Sequence, residues 1–99
     1  MKIETNEIYT FKLTTGEEFV GKVTASEDSV LEINQPISTV ISPQGLQMMP
    51  SLFSANLEKN VQLNTAALVM VATVREDVRN SYIQATTGIA PVSRQIITG

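Results

Sequence analysis

Leu13-Thr14-Thr15-Gly16-Glu17-Glu18-Phe19-Val20-Gly21-Lys22-Val23 is the stretch on which the reading of the fold turns. Before it, Tyr9, Phe11 and Leu13 alternate with Ile8, Thr10 and Lys12. One set is cleanly apolar, the signature of a strand with one buried face. Thr14-Thr15-Gly16 then reads as a tight turn, with glycine at the place where a positive φ is needed. From Glu17 to Ala25 the chain reads as the return strand, with Phe19, Gly21, Val23 and Ala25 on one face. A glycine inside a strand weakens it unless the sheet bends there or another backbone approaches closely. Gly21 therefore marks a point of strong curvature.

Downstream, Ser26 to Ser29 is a turn and Val30 to Ile41 a long third strand interrupted by Pro36. Proline cannot donate to a ladder, so Pro36 implies a bulge or an edge. Ser42-Pro43-Gln44-Gly45 is a turn. Leu46 to Ser54, with Met48, Met49, Leu52 and Phe53 broken by Pro50, reads as an irregular edge strand. A polar loop, Ala55 to Asn60, leads to short strands at Val61 to Leu63 and Leu68 to Val74, joined by Asn64 to Ala67. The run Leu68-Val69-Met70-Val71-Ala72 does not alternate, so both faces are expected to be covered. The core would cover one, and the helix or a neighbouring subunit the other. Thr73 with Glu76 has the spacing of a capping box. Val74, Val78, Tyr82 and Ala85 recur at helical spacing. The sequence thus predicts a helix over 74–87, with Gly88 as its stop. Residues 1–88 would form one domain, and 89–99 a tail that is flexible or ordered by a partner.

Composition narrows the chemistry. The 99 residues allow one domain, 42% hydrophobic and only 17% charged, against about 25% charged in ordinary globular chains. A surface covered by another copy would account for some of that shortfall. The chain has no Cys and no His. Disulfides, thiolate metal sites and the commonest general base are excluded. No phosphate loop or dinucleotide fingerprint occurs, and Glu17 and Glu18 are neighbours expected to point to opposite faces. The sequence predicts no catalysis, no cofactor and no metal. It has no apolar run long enough to span a membrane and no apolar signal core near Met1, so the expected compartment is the cytoplasm. A net charge of −3 opposes non-specific attraction to nucleic acid.

The Leu13–Val23 stretch resembles the first signature of the Sm-like (LSm/Hfq-type) family. Leu13, Gly16, Phe19 and Gly21 stand where that signature has an apolar residue, a glycine, an apolar residue and a second glycine. The resemblance covers about Ile8 to Val74. It implies a mainly β fold: five strongly bent antiparallel strands in an open barrel that assembles into a homo-oligomeric ring. The family normally carries its helix at the amino end, whereas here the helical pattern is at the carboxyl end. That layout resembles short Sm-like proteins of phage origin.

The resemblance also implies single-stranded RNA as a partner, and it places the contacts. Glu27 falls at the family's Asp position with Asp28 beside it, but Leu31 stands where Asn is expected. Leu63-Asn64-Thr65 occupies the place of a common Ile-Arg-Gly. Glu27, Asp28, Asn64 and Thr65 are therefore the candidate RNA-binding residues. Without Arg, charge-assisted contacts and guanidinium stacking are lost. The alternative is a ring-forming structural or protein-interaction module that binds no RNA. Met48, Met49, Leu52, Phe53, Leu68, Val69, Met70 and Val71 are the candidate interface between copies, since apolar sheet edges call for a partner.

Overall fold

The computed structural model describes residues 2–87. It is mostly strand with a single helix: β1 (Glu7–Leu13), β2 (Glu18–Glu27), β3 (Val30–Ser42), β4 (Gly45–Pro50), β5 (Val61–Asn64), a 3-10 turn (Thr65–Ala67), β6 (Leu68–Thr73) and α1 (Glu76–Thr87). All pairings are antiparallel, in the order β4-β3-β2-β1-β6, with β5 also on β3. The resemblance implies five strands, and the structure has six, as many as the residue pattern marks. The reason lies in β3, which is 13 residues long. Its second half pairs with β4, from Ile37↔Pro50 to Ser42↔Gly45. Its first half pairs with β5, from Val30↔Asn64 to Ile33↔Val61. Since β2 takes the other edge of β3, β4 and β5 lie end to end along one lane. The interruption faces Asn34-Gln35-Pro36, where a proline without an N–H and a Gln35 φ of 48° break the ladder.

The first hairpin forms as its sequence requires. Gly16 takes a φ of 93°, and its N–H donates to the Leu13 carbonyl at 2.9 Å. Phe11 and Phe19 are cross-strand partners whose rings stack at 4.8 Å. With Tyr9, Val23, Leu31 and Ile33 they form the main core, joined at its margin by Leu63, Leu68 and Val71. Side chains from both ends of the strand order therefore meet the same core, so the sheet curls round it, although β6 makes no ladder with β4 or β5. Gly21 sits at the tightest place. A Cβ there would run into Cγ2 of Ile33, and the β2–β3 register shifts between Val20 and Lys22. The bulge that Pro36 implied is at this point, on the facing strand, as bulges that sharpen a bend often are.

The helix covers a second, smaller core. Val78 and Tyr82 pack on Val20, with Ile8, Ile37, Met48, Val74 and Ile83 around them. α1 begins at Glu76, two residues later than expected, because Thr73 remains in β6 paired with Tyr9. The Thr73–Glu76 capping box is therefore not made. Asp77 serves the first turn instead. Its carboxylate accepts from the Val78 N–H at 2.9 Å and from the Arg75 guanidinium at 2.7 Å. That hydrogen-bonded Arg75 holds the Asp77 carboxyl below its ordinary range. The expected helix stop at Gly88 and the expected tail, 89–99, lie outside the described residues.

Candidate functional site

The two loops that would hold RNA meet at one end of the sheet. Glu27 ends β2, and Asp28 begins the hairpin loop with a φ of 43°. Asn64 pairs with Val30 directly across from that loop. Thr65 goes further: its N–H and its hydroxyl both donate to the Ser29 carbonyl, at 2.9 and 3.2 Å. The Asn64 side-chain oxygen accepts from the Ala66 N–H at 2.9 Å and caps the 3-10 turn. The four sequence-predicted residues are thus brought together, but the Thr65 hydroxyl and the Asn64 side-chain carbonyl are engaged in holding the loops in place. Leu31 is 3% exposed, inside the main core. Glu27 and Asp28 are both exposed beside these loops, as are Ser29 and Asn64.

The candidate interface residues divide. Leu68 and Val71 turn inward against the main core, and Met48 packs beneath the helix. Val69 and Met70 are 57% and 64% exposed. A register shift explains why alternation fails here. Leu13 pairs with Leu68 while Lys12 pairs with Met70, so Val69 is the extra residue of a bulge, and two successive side chains point out. The helix does not cover this outer face, since its contacts are with Val20, Ile8, Ile37 and Met48. On the other outer lane, Met49, Leu52 and Phe53 are 40%, 48% and 81% exposed.

Sequence reasoning missed a further apolar group. β2 reaches only as far as Thr39 on β3, so the β3–β4 hairpin overhangs the sheet. Val40 and the cross-strand pair Ile41 and Leu46 sit on this overhang, with Ile41 82% exposed. Two adjacent β-branched residues near the end of an overlong strand were the available signal. Beneath the β4–β5 interruption lies a mainly apolar cavity of about 240 Å³, lined by Leu13, Phe19, Ile33, Leu52, Val61 and Leu63 among others. At its rim the buried Ser38 hydroxyl donates to Glu17 at 2.7 Å and shares a 2.9 Å hydrogen bond with Ser51. Glu17 is thereby tied to β3, whereas Glu18 makes an exposed ion pair with Lys12 at 3.6 Å. The Glu17–Ser38–Ser51 chain closes the polar groups of three segments on one another. It fixes to β3 the point where the chain leaves β4 for the loop to β5.

Among the described residues no group of three acidic side chains is placed to hold a metal, and no helix is long and apolar enough to cross a membrane. No known family model matches the sequence, and a search of curated proteins finds no match either.

Proposed function

We propose that this chain is an Sm-like subunit that assembles with copies of itself into a ring and acts there as a structural or protein-interaction scaffold. The observation that carries this is the pair of outer lanes. Among the described residues β6 is hydrogen-bonded on one side, to β1, and it turns Val69 and Met70 outward. Among the described residues the β4–β5 lane pairs with β3 alone, and it is flanked by Met49, Leu52 and Phe53. Unpaired strand edges with apolar flanks drive strand-to-strand association, and an interface that joins two different edges closes into a ring when the rotation permits. The Leu13, Gly16, Phe19, Gly21 pattern and the single curled sheet support the Sm-like assignment. The test is size-exclusion chromatography with light scattering: a closed oligomer is expected, and a monomer at micromolar concentration rejects the reading.

Single-stranded RNA is the second reading, favoured by the meeting of the Glu27–Asp28 and Asn64–Thr65 loops. It is weakened by their internal hydrogen bonds and by the two exposed carboxylates, which repel phosphate. Titration with uridine-rich and adenine-rich oligonucleotides at low salt tests it. With no Trp in the chain, co-purifying nucleic acid would also stand out at 260 nm.

A further inference from the structure

The cavity of about 240 Å³ beneath the β4–β5 interruption has mainly apolar walls, among them Leu13, Phe19, Ile33, Val61 and Leu63. Its polar lining residues are Glu17, Ser51 and Gln62. The hydrogen bonds at its rim have a fixed sense. The buried Ser38 hydroxyl has one proton and donates it to Glu17 at 2.7 Å, because an ionised carboxylate only accepts. The 2.9 Å bond between Ser38 and Ser51 must then be donated by Ser51. Both hydroxyl protons are spent within the chain. Glu17 and Ser51 therefore have lone pairs to offer the cavity and no proton. The Gln62 amide can donate or accept, so it does not discriminate. Charge points the same way. Among the described residues the ion pairs are Lys12–Glu18 and Arg75–Asp77, and Glu17 belongs to neither.

We propose that this cavity binds a small amphiphilic amine, its apolar body among Phe19, Ile33 and Leu63 and its ammonium on Glu17 and Ser51. An ammonium carries donors and no acceptor, so it complements two groups that can only accept. A carboxylate or phosphate head would meet like charge on Glu17 and find no donor on Ser51. A neutral alcohol could give one bond but would gain no charge attraction. Volume sets the body. An apolar cavity of about 150 Å³ holds benzene. By the same ratio, 240 Å³ takes a body of about eight carbons. Position favours entry, because Pro36, Leu52 and Val61 place the cavity where β4 gives way to β5. Filling it there breaks no ladder bond. The site is built by one chain and does not rest on ring assembly.

n-Octylamine, octan-1-ol and octanoate share one chain and differ only in the head. Each is titrated into the full chain at physiological salt and neutral pH, and binding is followed by the backbone amide signals in nuclear magnetic resonance spectra. The expected result is a set of shifts centred on Phe19, Ile33 and Leu63. Octylamine should bind about tenfold tighter than octanoate, because the Glu17 charge attracts one head and repels the other. Glu17→Gln keeps an acceptor for Ser38 and should narrow that ratio several-fold. Glu18→Gln should leave it unchanged, since Glu18 lines a neighbouring groove and not this cavity. Val61→Phe fills the cavity and should weaken all three ligands together. Equal affinity for amine and carboxylate overturns the proposal. So does an equal response to Glu17→Gln and Glu18→Gln, which would mean general attraction to a chain of net charge −3. Unchanged binding in Val61→Phe, shifts centred on other residues, or no binding of octylamine at millimolar concentration also overturns it.

Discussion

The Tyr82 hydroxyl donates to the Asn34 carbonyl and accepts from the Lys22 N–H at 3.2 Å, so one phenol joins the helix to both strands at their bulge. The bulge explains why a side chain is needed there. Where the β2–β3 register shifts, a backbone donor and a backbone acceptor lose their ladder partners, and a buried unpaired group is costly. Tyr82→Phe keeps the ring in the second core and removes both bonds. A loss of about 1–3 kcal/mol is expected, read as a lower urea midpoint with an unchanged slope.

The same phenol gives a pH dependence. Burial pushes the Tyr82 hydroxyl above its ordinary value of 10.0, with the Lys22 N–H opposing in part. The folded state thus favours the protonated phenol. The linked stability is complete below the unfolded value and declines as pH rises from there through the raised folded one. Urea midpoints of the native chain should fall more steeply above about pH 10 than those of Tyr82→Phe. Parallel profiles would contradict the assignment.

Gly21→Ala should be far more damaging than its size suggests. The added methyl meets Ile33 Cγ2, and overpacking a tight core costs about 1–3 kcal/mol. Removing that contact with Ile33→Ala should make the double variant more stable than the sum of the two single losses predicts. Thermal or urea unfolding of all four proteins measures the coupling.

Asn64→Ala and Thr65→Ala separate a structural role from an RNA role. Loss of the cap and of the bond to Ser29 is expected to cost about 1 kcal/mol each. Oligonucleotide binding, if any is found for the native chain, should be unchanged. A loss of binding with stability intact would instead identify base or phosphate contacts.

Met70→Glu should shift the chain towards monomer. Met70 is exposed and faces Lys12 across the ladder, so the carboxylate is tolerated in the isolated subunit, within about 0.5 kcal/mol. A charge on an edge strand opposes pairing with another chain. Light scattering reads the shift, and circular dichroism confirms that the strands remain.

Much of the fold was legible because local chemistry and tertiary structure agree in the first hairpin. Tyr9, Phe11 and Leu13 alternate, Gly16 turns and Gly21 admits Ile33, each for a reason visible in neighbouring residues. The later elements were harder because long-range pairing decided them. Thr73 has the chemistry of a helix cap, yet the ladder with Tyr9 keeps it in β6. Leu68 to Ala72 looked buried on both sides because a bulge at Val69 disguises a strand with one inward face. The loop residues Asn64 and Thr65 could be located from the resemblance. The bonds from Thr65 to Ser29, however, reach a hairpin 36 positions away, which no local pattern reveals.

The split lane beside β3 has a consequence for how such a chain can change. β4 and β5 each find their own register on β3, and the excursion between them is anchored at its two ends. Ser51 donates to the Pro36 carbonyl at 3.1 Å, while Asn60 bonds Asn34 at 3.0 Å and Glu32 at 2.9 Å. Residues added or removed between those anchors shift neither half of the lane, and the entropic cost of a longer closed loop grows only slowly. The stretch around Phe53 is thus a natural insertion port, where new sequence can be grafted onto the sheet without re-indexing it.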